Sequence, residues 1–153
     1  MKTIKQILLA LGVLLNLTAF AQPTTPGPTC NESACLPSGS YPTTVQSPST
    51  GSCGCLGSTP NPMWISIYIP TSGQLHWILT QTNSNGTPID VDFALFGPYT
   101  SMTGGCASAA SCTGIVDCSF LPAATEYVDI NNAVAGQYYN LLVTNFNGST
   151  GTV

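Results

Sequence analysis

The sequence predicts an all-β protein, an antiparallel β-sandwich stabilised by disulfide bonds. Short segments alternate between apolar and polar residues, which is the period of a strand with one buried face. Clusters of Gly, Pro, Asn and Ser separate these segments, and no helix is predicted between them. Seven cysteines add the cross-links of an oxidising compartment. Short strands with this spacing are typical of sandwiches and barrels.

The first 21 residues have the pattern of a secretory signal peptide and are excluded from the predicted fold. Lys2 and Lys5 precede an apolar run from Ile7 to Phe20, and the small residues Ala19 and Ala21 stand at −3 and −1 of a cleavage site before Gln22. The run is shorter than a comfortable membrane span, and no second one follows it. We therefore expect export, an extracellular or cell-surface location, and no membrane insertion after cleavage.

The exported chain carries no basic residue, because both lysines lie in the signal peptide. Its six acidic residues and neutral histidine leave a formal charge of −6. Binding to nucleic acid depends on Lys and Arg side chains that neutralise phosphates, so this function is excluded. The same composition excludes a polybasic membrane patch and a Schiff-base lysine. A cation, a neutral glycan or another protein remains as a partner.

Residues 22–50 are predicted to be a lead-in rich in Pro, Thr and Ser, with one edge strand between Gly39 and Gln46. The sandwich module is predicted over residues 51–153. Its first strand runs from Met63 to Ile69, and its second runs from Gln74 to Gln81. Alternation places Leu75, Trp77 and Leu79 on one face of the second strand, opposite His76, Ile78 and Thr80.

The third strand is predicted from Asp90 to Phe96, with Val91, Phe93 and Leu95 facing inward. A long segment of small residues, 97–121, follows it and needs cross-links to be held in place. Two later strands are predicted over 126–130 and 137–146. Thr152 and Val153 then look like the start of a strand that the sequence does not complete, so we expect the module to be C-terminally incomplete.

The cysteines predict a disulfide framework whose connectivity is mostly open. Cys106 and Cys118 bracket the long segment and are the predicted pair. The odd count indicates an intermolecular bond, a free thiol or a missing end of the chain. Zinc is disfavoured, because the spacing matches no standard site and only one histidine is present. The cysteines whose partners stay open are Cys30, Cys35, Cys53, Cys55 and Cys112.

Four segments occur in one order: CLGSTPNPMW, GTPIDVDFALFGPYT, IVDCSF and INNAVAGQYYNLLVTNFNG. Together they resemble a β-sandwich module of large secreted Bacteroidetes proteins, which often carry a gliding-motility-associated or type IX secretion sorting domain. The D-V-D-F and G-Q-Y-Y strands are also similar to bacterial pre-peptidase C-terminal and CUB-like jelly rolls. The resemblance covers roughly residues 30–153. It implies Sec export, type IX secretion and display on, or release from, the cell surface.

Two departures from the family bear on this resemblance. In the family the chain continues with a further strand, usually another cysteine, and many more domains. The sorting domain is not in this sequence, so the resemblance implies a fragment or the first module of a larger protein. Cys53 and Cys112 are additional to the usual cysteine set, and they could pair with each other.

Asp90 and Asp92 form the candidate metal site, because they share one face of a strand end beside a turn. Calcium sites combine such carboxylates with carbonyl oxygens, and CUB-like modules include calcium-binding members. Asp117 or Asp129 could complete the ligand shell. The alternative is that both aspartates face solvent and keep a sheet edge from pairing.

Trp64 and Tyr68 are candidate ligand-binding residues, because they lie on one face of the first strand and could form an aromatic platform for sugars. The alternative is that this face is core or packs against another domain. His76 is the single possible imidazole base, and no nucleophile motif accompanies it. We therefore predict no catalysis.

The predicted function is a non-catalytic structural or adhesive module of a secreted or cell-surface bacterial protein. The predicted partners are other domains of the same protein, with a glycan or a surface protein as further candidates. The alternative is an accessory module of a secreted hydrolase that binds glycan or calcium. No cofactor is expected for the first function, and Ca²⁺ is the candidate for the second.

Overall fold

The computed structural model describes residues 25–35, 39–43, 51–145 and 151–153. The predicted signal peptide and part of the predicted edge strand lie outside these ranges. The described chain consists mostly of β-strands in antiparallel sheets, with one α-helix of five residues and one short 3-10 turn. None of its helices is long and apolar enough to cross a membrane.

Ten strands, the α-helix and the 3-10 turn follow one another in the described chain. In chain order they are the 3-10 turn Cys30–Glu32, β1 (Ala34–Cys35), β2 (Pro42–Thr43), β3 (Met63–Tyr68), β4 (Gly73–Thr80), β5 (Thr82–Asn83), β6 (Asp92–Tyr99), α1 (Cys106–Ala110), β7 (Ile115–Ser119), β8 (Thr125–Ala133), β9 (Tyr138–Thr144) and β10 (Gly151–Thr152).

The largest sheet has five strands in the order β1-β3-β9-β6-β7. All of its pairs are antiparallel except β1 with β3. Strand β9 lies at the centre, where Leu141 is opposite both Ile65 and Leu95. Because β1 is its edge strand, this part of the predicted lead-in belongs to the main sheet.

A two-stranded ribbon, β4 with β8, packs on one face of the five-stranded sheet. Leu75, Trp77 and Leu79, which alternation places on one face of β4, all join the core between the two layers. Val91, Phe93 and Leu95 are fully buried in the same cluster, as predicted. The remaining buried members are Met63, Ile65, Ile69, Val128, Ile130, Ala133, Tyr139, Leu141 and Val143.

A second apolar cluster covers the opposite face of the five-stranded sheet. Trp64 and Phe96 meet there, with ring centroids 5.6 Å apart. Leu56, Ala109 and the cystines of the connecting segments pack on top of them. The five-stranded sheet is therefore buried on both faces, which is why β6 and β9 read as nearly continuous apolar runs.

Three disulfides join the long connection after β6 to the first part of the chain: Cys30–Cys106, Cys53–Cys112 and Cys55–Cys118. The predicted Cys106–Cys118 pair is therefore wrong, and the Cys53–Cys112 pairing is confirmed. Cys106 begins α1, which lies against the 3-10 turn, whereas Cys118 lies on β7 beside Gly54. The two cysteines thus face different partners. Cys35 has no disulfide partner in the described residues, which include all seven cysteines.

Segment 97–121 was predicted as a cross-linked loop, but it also contains α1 and the edge strand β7. A register shift in β6 between Phe96 and Tyr99 lies at the start of this segment. Gly97 occupies this bulge with φ +149°, and a Cβ there would lie 2.5 Å from the Tyr139 ring. Only glycine fits this position without displacing a core aromatic residue.

Candidate functional site

Asp90 and Asp92 lie together at the start of β6, beside a cleft of about 340 Å³. Asp92 is only 7% exposed, and it lies opposite Thr144 in the register of β6 and β9. One carboxylate oxygen of each aspartate is buried without a hydrogen-bond partner in the described residues. The hydroxyl of Thr144 is buried and unpartnered in the same way. The cleft is lined by Gly57, Ser58, Asp90, Asp92, Phe120 and Pro122.

The electrostatic environment of Asp92 favours its protonated form. Burial, followed by repulsion from Asp90 and Glu126, raises the pKa of Asp92 to about 6. Glu126 is itself 3% exposed, and its Oε1 accepts a hydrogen bond from the Leu121 backbone N–H at 3.1 Å. Ionised Asp92 is therefore poorly hydrated and has no compensating positive charge among the described residues, and a bound cation would supply that charge.

Asp117 and Asp129, predicted as further ligands, do not join this pair. Asp117 accepts hydrogen bonds from the backbone N–H groups of Cys118 and Asp129, at 2.9 and 2.7 Å. Asp129 pairs through Oδ1 with His76 Nδ1 at 2.7 Å. The described residues contain no group of three or more His, Cys, Asp or Glu placed to hold a metal ion. Hydroxyl and carbonyl oxygens would have to complete any calcium shell.

The aromatic platform predicted from Trp64 and Tyr68 is not present. Trp64 is 7% exposed and lies in the second apolar cluster, because the disulfide-linked segments cover its face of the sheet. Tyr68 is half-exposed at the other end of β3 and packs against Tyr138, with ring centroids 5.1 Å apart. The alternative prediction for this face was core packing, and it is correct for Trp64.

The outward side of the β4–β8 ribbon presents an exposed cluster that the sequence alone did not reveal. Ile78 and Tyr127 lie directly opposite each other in the register and are 63% and 54% exposed. The His76 ring stacks on Tyr127 with centroids 5.4 Å apart, and it also pairs with Asp129. We call these four residues, His76, Ile78, Tyr127 and Asp129, the outer ribbon face.

The outer ribbon face could have been found only with knowledge of the pairing between β4 and β8. The sequence places His76 and Ile78 on the same face of their strand, but the residues opposite them depend on a register between segments about fifty positions apart. His76 makes no hydrogen bond to a hydroxyl or thiol in the described part of the chain, where Asp129 is its partner. The prediction that the chain is not an enzyme stays a prediction.

No protein-family model matches this chain, and comparisons with curated proteins and with solved structures also gave no match.

Proposed function

We propose that this chain is an exported, non-catalytic structural and adhesive module of a secreted or cell-surface bacterial protein. Its layers would form an antiparallel β-sandwich of the jelly-roll or CUB-like kind. The resemblance to modules of large Bacteroidetes proteins supports export followed by type IX secretion. The lack of basic residues after the signal peptide supports a protein partner over nucleic acid.

The observation that carries the adhesive role is the outer ribbon face. Exposed apolar and aromatic side chains that lie side by side are characteristic of contact surfaces. Ile78 and Tyr127 are such a pair, and the packed core behind β4 and β8 holds their strands in place. The His76–Asp129 pair adds hydrogen-bonding groups at their side. This arrangement suits a protein partner with a matching apolar centre and a polar rim.

Surface display tests the adhesive role. Bacteria that lack other adhesins would display residues 22–153, and their attachment to each other and to coated surfaces would be measured. We expect attachment by the displayed protein and its loss to the empty-display level with Ile78→Ser and Tyr127→Ser combined, since the apolar contact is removed.

Val134→Ser is the matched control, because Val134 is 51% exposed outside the outer ribbon face. Attachment should persist in this variant. Cells that attach no better than the empty-display strain, or that attach equally well with the double variant, would contradict the adhesive role.

Calcium binding is the second candidate function, and the buried unpartnered oxygens of Asp90 and Asp92 favour it. A cation would neutralise the repulsion that raises the pKa of Asp92. Calcium sites of extracellular modules have dissociation constants of roughly 10⁻⁴–10⁻³ M. Calcium at ten times such a constant would stabilise the fold by about 1.4 kcal/mol.

Thermal unfolding with and without Ca²⁺ tests this candidate. We expect Ca²⁺ to raise Tm at about pH 7.5 and to have less effect at about pH 5, because protonated Asp92 binds cations poorly. Asp92→Asn should abolish the shift, whereas Asp129→Asn, which removes an exposed carboxylate outside the cleft, should retain it. Equal shifts in both variants, or no shift in the unmodified protein, would exclude the site.

A further inference from the structure

A β-bulge interrupts the pairing of β4 with β8 close to the start of β4. Leu75 is opposite Ile130, and Gly73 is opposite Ala133. The two pairs are separated by two residues on β4 but by three residues on β8, so β8 carries one extra residue here. Such a bulge changes the direction of the side chains around it, and bulges are common beside functional sites.

The extra residue places three carboxamide side chains on the solvent side of the ribbon. Exposed and buried residues alternate along β8 up to Ile130, after which Asn131 and Asn132 are both exposed. Gln74, the single residue opposite them on β4, is exposed as well. In a regular ladder one of two neighbouring asparagines would face the core, so the bulge is the reason that both face solvent.

The three carboxamides line a cleft of about 380 Å³, which we call the bulge cleft. No hydrogen bond joins their side chains to another described residue. By contrast, the carboxamide oxygens of Asn83 and Gln137 each accept two hydrogen bonds within the fold. The donors and acceptors of the cleft are therefore free for a ligand. Its other lining residues are Gly73, Ala133 and Val134.

The turn after β8 holds one rim of the bulge cleft in place. The Val134 N–H donates to Gln137 Oε1 at 3.1 Å, and the Ala135 N–H donates to Ser72 Oγ at 2.9 Å. The Val134 side chain is half-exposed at this rim. A site that has its shape before binding loses less conformational entropy when it takes up a ligand, so this rim is suited to recognition of a small molecule.

The lining of the bulge cleft selects an uncharged ligand that is rich in hydroxyl groups. It contains no acidic or basic side chain, so it offers no counter-charge to a buried ion. Each carboxamide supplies an acceptor oxygen and two N–H donors, and each hydroxyl of a sugar both donates and accepts. Val134 supplies an apolar contact for the C–H groups of a sugar ring. The volume lies near the lower end of the range of small-molecule sites, which is about 300–1,000 Å³.

We propose that the bulge cleft binds a neutral sugar unit of a glycan, held by the carboxamides of Gln74, Asn131 and Asn132. This site goes beyond the proposed contact with a protein, because the cleft and the outer ribbon face share no residue. The exposed carboxylate of Asp129 lies two residues before Asn131 on β8, and the sequence after residue 21 contains no Lys or Arg. The electrostatic potential therefore disfavours an anionic sugar.

An NMR titration of isotope-labelled residues 22–153 tests the proposal. The probes are the methyl glycosides of glucose, galactose, mannose and N-acetylglucosamine. We expect at least one of them to shift the side-chain NH₂ signals of Gln74, Asn131 and Asn132, with a dissociation constant of about 1 mM, as for a small ligand. The NH₂ signal of Asn85, which is exposed in the turn between β5 and β6, should not move.

Variants of the cleft test which groups hold the sugar. Gln74→Ala combined with Asn131→Ala should weaken binding about tenfold or more, because the hydrogen bonds of two carboxamides are lost. Asn85→Ala is the matched control on an exposed carboxamide outside the cleft, and it should bind as tightly as the unmodified protein. Deletion of Asn131 removes the extra residue of the bulge and should abolish binding. A Tm close to that of the unmodified protein shows that each variant is folded.

Four results would overturn the proposal. The first is that none of the glycosides moves the three NH₂ signals, and the second is that the folded double variant binds as tightly as the unmodified protein. The third is tighter binding of methyl glucuronide, which is charged, than of methyl glucoside. The fourth is a shift of the same signals by N-acetylglycine methylamide and by no glycoside, which would assign the cleft to a peptide main chain.

The sugar site and the adhesive function fail separately. Val134→Ser should weaken glycoside binding, because Val134 borders the cleft, although it lies outside the outer ribbon face. Glycoside binding without cell attachment would refute the adhesive function and leave the bulge cleft in place. Cell attachment that depends on Ile78 and Tyr127, without glycoside binding, would refute the bulge cleft alone.

Discussion

Asp92 is the first residue of β6 in the main sheet. No described residue compensates the negative charge of its buried carboxylate. Its pKa of about 6 lies above the ordinary value of 3.8 because of burial and the neighbouring Asp90 and Glu126. Between these pH values the folded protein holds a proton that the unfolded chain releases. The free energy of unfolding therefore falls as the pH rises from about 4 to about 6.

Asp92→Asn should remove this pH dependence, since asparagine has a similar shape and no charge. Solvent in the cleft screens the carboxylate, so we expect a gain of about 1–2 kcal/mol at about pH 7.5 and little change near pH 3. Urea unfolding in EDTA at both pH values measures the difference without bound cation. Asp129→Asn is the control on an exposed carboxylate, and a loss of stability in Asp92→Asn at the higher pH would contradict the account.

At the residue scale, the sequence predicts which side chains alternate but not what covers them. Leu75, Trp77 and Leu79 were correctly placed together on one face of their strand, and that face joins the core because the other face is exposed to solvent. Trp64 and Asp92 lie on strands that are buried on both faces. On these strands alternation does not predict which side chains are buried, because segments distant in sequence cover the second face.

At the element scale, the long connection after β6 is fixed by one disulfide from each of its three cysteines. Each bond closes a loop of about 60 residues or more, for which about 4 kcal/mol of stabilisation is expected from the lowered entropy of the unfolded chain. The connection is thereby attached over Trp64 and Phe96, and it forms the cover of the second apolar cluster.

Paired cysteine substitutions test this connectivity. Cys30→Ser with Cys106→Ser removes one complete bond, so the unfolded, unreduced protein should keep a single reactive thiol, that of Cys35. Cys106→Ser with Cys118→Ser leaves Cys30 and Cys55 without partners and should give three thiols. Titration with a thiol reagent counts them. A single thiol in the second variant would support the pairing that the sequence suggested.

The sequence predicts strands where apolar and polar residues alternate locally. It does not predict the elements that depend on contacts between distant segments. The strands β3, β4 and β9 were found near their observed bounds because pleating sets a period of two. Strand β7 was missed, since its five residues lie among small residues and it forms only by pairing with β6. The predicted Cys106–Cys118 pair was wrong for the same reason, because proximity in sequence does not give proximity in space.

At the scale of the whole molecule, three disulfides brace the fold, as the proposed export to an oxidising compartment would allow. The fold buries one sheet on both faces and leaves a two-stranded ribbon with an exposed outer face. After residue 21 the sequence contains no Lys or Arg and six Asp or Glu residues, so the solvation of its surface depends largely on Ser, Thr, Asn and Gln. Such a surface suits the contact role proposed for the ribbon.

The intact mass of the protein after secretion from a bacterial host tests the central claim, an exported and disulfide-braced module. Treatment with iodoacetamide before reduction marks each free thiol. The account predicts a chain that starts at Gln22, is lighter by six hydrogen atoms because of three disulfides, and carries one added group on Cys35. A chain that retains Met1, or one that carries added groups on all seven cysteines, would contradict it.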